Sequence, residues 1–87
     1  MDDKAIAEKE FVEQVLRNNW RRMTAEKKEL DQKIGDLDVT LNSKIFHKFS
    51  NKNQDLLLDQ SEAMKTYSEV LGKRIELFDI DEEHRVS

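Results

Sequence analysis

Ser50-Asn51-Lys52-Asn53 is the stretch of this chain that decides its fold. These four small or polar residues separate two segments in which large apolar residues recur at helical spacing. At 100° per residue, the mean direction of the apolar side chains shifts by roughly 70° from one segment to the other. Because one uninterrupted helix would keep a constant apolar direction, the chain is predicted to reverse at this stretch.

Working backward from the turn, the apolar spacing predicts a first helix over about residues 4–49. Its large apolar residues fall on nearly one face before and after Gly35, which lies on the opposite, solvated side. The alternative is a break near residues 35–40, because Gly costs about 1 kcal/mol in a helix interior and the residues after it are mediocre helix formers. That break would produce a three-helix bundle.

Working forward, the sequence predicts a second helix over about residues 54–79, with Asn53 as its N-cap. Four of its apolar residues are spaced by sevens, as in a coiled coil: Leu57, Met64, Leu71 and Phe78. The face predicted to be buried also includes Leu56, Ala63, Tyr67, Val70 and Ile75. Residues 80–87 are acidic and are predicted to form a frayed tail.

Together these elements predict one small all-α domain over residues 1–87, an antiparallel helical hairpin or coiled coil with a long first helix. The numbers of facing residues should sum to about 102, which pairs Leu30 with Leu71, Ile34 with Tyr67 and Leu37 with Met64. Residues 5–23 would then extend beyond the end of the second helix without an intrachain partner.

This unpaired segment carries the candidate functional surface. Between residues 11 and 23 the apolar stripe covers roughly half of the helix circumference, which is more than one neighbouring helix covers. Such a stripe should not stay in water, so we expect it to be covered by another protein, by a second copy of the chain or by a fold-back through a hinge near residues 24–29. The predicted partner-binding residues are Phe11, Val12, Val15, Leu16, Trp20 and Met23, with Trp20 as the anchor.

The composition agrees with long helices and limits the other possibilities. The chain is 39% charged and 37% hydrophobic, with two Gly, no Pro and no Cys. The lack of cysteine excludes disulfides, thiolate zinc sites and a catalytic thiol. No apolar run approaches the length that spans a bilayer, and the acidic start lacks the layout of a secretory signal. The sequence therefore predicts a cytoplasmic protein without a membrane span.

No pattern in the chain predicts catalysis, a metal or a cofactor. Asp36-x-Asp38-x-Thr40 begins like a calcium loop, but Leu41 stands where the loop needs Gly. His47 and His84 each lack a second ligand at helical spacing, and there is no Gly-rich phosphate loop or nucleophile elbow. We therefore expect a non-enzymatic interaction module, such as an adaptor, a small chaperone or an assembly subunit.

The alternative function is nucleic-acid binding through Arg17, Trp20, Arg21 and Arg22, where arginines beside an indole could hold phosphate and stack on a base. The formal net charge of −4 opposes this interpretation, because nucleic-acid-binding domains are usually strongly basic. A protein partner is therefore the preferred prediction.

Overall fold

The protein is an all-α helical hairpin, as the sequence predicts, in a computed structural model that describes the backbone of residues 3–86 and the side chains of residues 7–78. Helix α1 spans Asp3–Leu41, a short 3₁₀ helix spans Lys44–Lys48, and helix α2 spans Asn51–Val86. The two long helices pack against each other and form a rod that measures 68 × 20 × 17 Å. Within the described residues no helix is long and apolar enough to cross a membrane.

Helix α1 runs without interruption through Gly35, so the alternative of a break near residues 35–40 is wrong. A methyl group added at Gly35 would meet no atom within 4 Å, which agrees with its predicted place on the solvated side. The helix ends at Leu41, however, instead of near residue 49. At this end Asn42 Nδ2 donates to the carbonyl of Asp38 at 2.8 Å, and Ser43 Oγ donates to that of Thr40 at 2.7 Å. Such side-chain bonds compete with the helical backbone pattern and favour its termination.

The chain reverses over residues 42–50, and the predicted reversal at Ser50–Asn53 is therefore placed too late, because residues 51–53 already form the first turn of α2. Ser50 is the N-cap, because its Oγ accepts a hydrogen bond from the Asn53 N–H at 3.2 Å and its carbonyl accepts one from the Gln54 N–H at 2.9 Å. Asn53, the predicted cap, is therefore the third residue of the helix. Gln54 Nε2 also donates to the carbonyl of Phe49 at 2.9 Å, which ties the start of α2 to the end of the turn.

Helix α2 also continues beyond the predicted end near residue 79, since its backbone is helical through Val86. The segment predicted as a separate tail, residues 80–87, is therefore part of α2 as far as the backbone is described. Whether it frays in solution stays a prediction. The consequence for the hairpin is that α2 reaches further along α1 than expected.

Few of the described residues are buried between the two helices. Leu71 is the fully buried apolar residue among those described, and Ser61 and Ser68 are the buried polar residues, both also on α2. Contacts across the hairpin join residues whose numbers sum to between 93 and 103, and four of these five sums lie below the predicted 102. The Tyr67 hydroxyl donates to Glu26 at the edge of the helix pair, about two turns along α1 from Ile34, its predicted partner.

Candidate protein-binding surface

The N-terminal part of α1 presents an exposed apolar surface, which we call the N-terminal patch: Phe11, Val12 and Val15. Phe11 is 68% exposed, and both valines are also classed with the exposed large hydrophobic residues. These three are half of the residues predicted to bind a partner. Leu16 and Met23 are half-buried, so they contribute less to the surface that a partner could reach.

Trp20 does not lie in the open, contrary to the expectation that residues 5–23 have no intrachain partner. Its ring packs on Phe78 of α2, with centroids 6.1 Å apart and planes tilted by 32°. Its indole Nε1 is buried and finds no hydrogen-bond acceptor within the described residues. The reason for the difference is the register of the two helices, which brings Phe78 level with Trp20 instead of with residue 24. Trp20 therefore packs between the two helices, and its ring is not available as the predicted anchor for a partner.

Helix α2 carries a second exposed apolar surface, and three of its four members, Leu56, Ala63 and Val70, were predicted to be buried. We call it the lateral stripe, and its members are spaced by seven residues: Leu56, Ala63, Val70 and Leu77. The three large members are 46% to 57% exposed. The signal was present in the sequence, since this series runs one position before the buried series of Leu57, Met64, Leu71 and Phe78. Two series that lie about 100° apart cannot both face one neighbouring helix.

The two exposed surfaces lie on the same side of the hairpin. The hydrogen bond from Tyr67 to Glu26 shows which edge of α1 lies beside the lateral stripe. At 100° per residue, Val12, Val15 and Phe11 all fall within about 60° of Glu26 around α1. The opposite side is marked by the ion pair of Lys65 Nζ with Asp38 Oδ1 at 3.2 Å.

A shallow depression interrupts the lateral stripe at its small member, Ala63. It has a volume of about 450 Å³ and is lined by Asp59, Glu62, Ala63, Thr66 and Tyr67. Two carboxylates, those of Asp59 and Glu62, therefore line the depression beside Ala63. This arrangement suits an apolar side chain that carries or neighbours a positive charge.

A polar cluster joins the helices at mid-length. Lys27 Nζ donates to Asp31 Oδ2 at 3.0 Å and to Ser68 Oγ at 2.8 Å, and the Ser68 hydroxyl donates to Asp31 Oδ1. The hydrogen bond from Ser68, followed by that from Lys27, lowers the pKa of Asp31 below its ordinary value of 3.8. Ser68 thus has both of its hydrogen-bonding partners on α1, which explains how a hydroxyl can be buried here.

At the edge of the hairpin the Tyr67 hydroxyl donates to Glu26 Oε1. This hydrogen bond, with some desolvation and the negative charge of Glu26, raises the pKa of Tyr67 above its ordinary value of 10.0. The phenol is thereby held neutral and oriented, while much of the ring remains in contact with solvent.

The arginine cluster is only partly assembled. Arg17, Arg21 and Arg22 are exposed, but the Trp20 ring that was expected to stack on a base packs on Phe78 instead. Glu10 and Glu13 line the same open groove as Arg17 and Arg21, so this surface carries both signs of charge.

In the part of the chain that the structure describes, no group of three or more His, Asp or Glu side chains is placed to hold a metal ion. Asp36 and Asp38, the start of the calcium-like pattern, lie within the continuous helix α1. The ring of His47 packs edge-on against Phe46, with centroids 5.6 Å apart. The side chain of His84 lies outside the described residues.

Comparison with known proteins identifies one family. Residues 17–77 match the family model described as Sequestin. This range contains the turn, most of both helices and the whole lateral stripe, whereas the N-terminal patch precedes it. No curated protein and no solved structure matches the chain.

Proposed function

The chain belongs to the Sequestin family, and we propose that it is a non-enzymatic protein-binding module that takes hold of a partner through the N-terminal patch. The observation that carries this proposal is the exposure of Phe11, Val12 and Val15 together on one side of one helix. Removing such side chains from water contributes about 25 cal/mol per Å² of apolar surface, which supplies a driving force for association. The family name agrees with an action by binding.

The mechanism is the docking of an amphipathic helix into an apolar groove of the partner, with Phe11 and Val15 as anchors at i and i+4 spacing. Trp20 and Phe78 support this arrangement, because their contact holds the adjacent part of α1 against α2. The patch thus extends from a braced helix, which lowers the conformational entropy that binding must overcome. An adaptor, a small chaperone or an assembly subunit would each use such a surface.

The depressions on the hairpin support binding by surface contact, because those on the described residues are shallow and line the outside of one or both helices. Substrate sites are usually concave and enclose most of a small ligand. A cytoplasmic location is proposed on the sequence alone.

Nucleic-acid binding is the second candidate, and the exposure of Arg17, Arg21 and Arg22 favours it. The position of Trp20 against Phe78 and the nearby Glu10 and Glu13 weigh against it. A salt titration with single-stranded and double-stranded oligonucleotides separates the two candidates, because phosphate contacts weaken steeply as salt rises. Salt-sensitive binding that Arg17→Gln/Arg21→Gln abolishes would replace the protein-binding proposal.

The protein-binding proposal is tested by affinity capture from the native cell with the triple variant Phe11→Gln/Val12→Gln/Val15→Gln. Glutamine keeps helix propensity while removing the apolar surface. The matched control is Val39→Gln/Leu58→Gln, which removes exposed apolar residues from elsewhere on the hairpin. We expect the wild type and the control to recover the same partner and the triple variant to lose it. Equal recovery by the triple variant would contradict the proposal.

A further inference from the structure

From the lateral stripe we infer a second interaction: two copies of the chain pair through α2 in an antiparallel, two-fold symmetric interface. This interface is separate from the N-terminal patch and does not depend on the proposed function. The stripe runs from Leu56 to Leu77, which is about 32 Å of helix at 1.5 Å per residue. Regular seven-residue spacing on an exposed helix face is the pattern of a helix that packs against another helix.

The apolar residues of the stripe complement themselves when the second helix runs in the opposite direction. With the two-fold axis between Thr66 and Tyr67, Leu56 meets Leu77 of the second copy, and Ala63 meets Val70 of the second copy. Each contact then occurs twice, as an isologous interface requires. The small Ala63 receives the larger Val70, so a valine side chain enters the depression that surrounds Ala63.

The charges along the stripe also favour the antiparallel direction. By helical phase, Asp59, Thr66 and Lys73 border the stripe on the edge that points away from α1. Antiparallel two-fold pairing brings this edge against the same edge of the second copy. Lys73 of one copy then faces Asp59 of the other, together with Glu62 at the rim of the depression. The two opposite-charge contacts select register and direction.

Parallel pairing fits the same residues poorly. It would bring opposite edges of the two helices together, which places Lys73 against Arg74 of the second copy and creates two contacts between like charges. It would also set Ala63 against Ala63, leaving the depression unfilled. Antiparallel pairing therefore fits the residues of the stripe better than parallel pairing does. It places a large side chain against a small one and opposite charges against each other.

The association is tested by sedimentation velocity at rising protein concentration with the full chain. We expect the wild type to dimerise, Lys73→Glu to weaken dimerisation by roughly tenfold or more, and Asp59→Lys/Lys73→Glu to recover much of the loss. These positions are exposed, so the fold should survive. Phe11→Gln, in the N-terminal patch, should dimerise like the wild type. A monomeric wild type, or a double variant no better than Lys73→Glu, would overturn the inference.

The direction is tested by disulfide formation, because the natural chain contains no cysteine. Thr66→Cys lies beside the proposed two-fold axis and should form a covalent dimer under mild oxidation. Leu56→Cys should not, because antiparallel pairing puts the two copies of residue 56 about 31 Å apart along the helix axes. Cross-linking of both variants would show parallel pairing and cross-linking of neither would exclude this interface, so either result overturns the inference.

Discussion

The rings of Trp20 and Phe78 pack 6.1 Å apart and join α1 to α2 near the level where the N-terminal patch begins. Trp20 lies two turns after the patch on the same helix, and Phe78 lies near the end of the described side chains of α2. The contact therefore pairs α1 with α2 close to the N-terminal patch. It assigns Trp20 to the interior of the hairpin.

Phe78→Leu should destabilise the hairpin by about 1 kcal/mol, because leucine keeps an apolar side chain but loses the contact between aromatic rings. Trp20 is the single tryptophan, so its fluorescence reports this contact directly. We expect emission to shift to longer wavelength in the variant. Phe11→Leu is the matched control, since Phe11 is exposed, and it should change neither stability nor emission. The same emission from Phe78→Leu and wild type would contradict the assignment.

Ser68→Ala should lower the free energy of unfolding by about 1 kcal/mol at neutral pH, because a buried hydroxyl loses its bonds to Lys27 and Asp31. The lowered pKa of Asp31 adds a pH dependence. A carboxyl whose pKa is lower in the folded state stabilises the fold above its unfolded pKa, and that contribution is lost as the pH falls through the folded pKa.

The difference between wild type and Ser68→Ala should therefore be larger at neutral pH than in acid below the ordinary Asp pKa of 3.8. Urea unfolding at fixed protein concentration measures this difference in the free energy of unfolding. Ser61→Ala, at the other buried serine, leaves the Lys27–Asp31 pair intact and should show no such acid-dependent difference. A constant difference for Ser68→Ala across this pH range would show that the bond to Asp31 is unimportant.

Tyr67 should ionise at higher pH in the folded chain than in the urea-unfolded chain, because its hydroxyl donates to Glu26. It is the single tyrosine, so tyrosinate absorbance in the near ultraviolet reports this residue alone. Glu26→Gln removes the negative charge and should return the pKa toward 10.0. Because the folded state favours the neutral phenol, this stabilisation is complete below the unfolded pKa and is lost as pH rises through the folded pKa. Identical titrations of folded and unfolded chain would refute the contact.

Gly35→Ala should stabilise the hairpin by about 0.5–1 kcal/mol, since alanine is a better helix former and the added methyl group meets open space. Gly72→Ala is the natural comparison, because its methyl group would lie 3.4 Å from Lys27 Cε. Lys27 is held by Asp31 and Ser68, so the gain there should be smaller. Chemical unfolding measures how much each variant raises the free energy of unfolding. A larger increase for Gly72→Ala than for Gly35→Ala would contradict this description of the interior.

The hairpin could be predicted from the sequence because the mean direction of the large apolar side chains around the helix axis changes where one helix ends and the next begins. The predicted turn at Ser50–Asn53 lies close to that change but too late along the chain, because residues 51–53 already belong to α2. The same test correctly predicted that Gly35 does not interrupt α1. The end of α1 was not predictable in this way. The helix ends where the side chains of Asn42 and Ser43 donate hydrogen bonds to backbone carbonyls. The spacing of apolar residues does not reveal such hydrogen bonds.

The candidate surface was only partly predictable for a related reason. A broad apolar arc on α2 does not tell which portion faces α1, so Leu56 and Val70 were assigned to the interior although they lie outside it. The placement of Trp20 depended on the register of the pair. This register does not follow from residue spacing within a single helix.

The most direct measurement of the central claim is photo-cross-linking in the native cell, with a photoreactive phenylalanine analogue placed at position 11 and, as the control, at position 39. Both positions are on α1 and are highly exposed, Phe11 at 68% and Val39 at 72%, so exposure alone predicts equal reaction. If the N-terminal patch binds a protein partner, one defined cross-linked partner forms from position 11 and not from position 39. The same products from both positions, or none from position 11, would contradict the account.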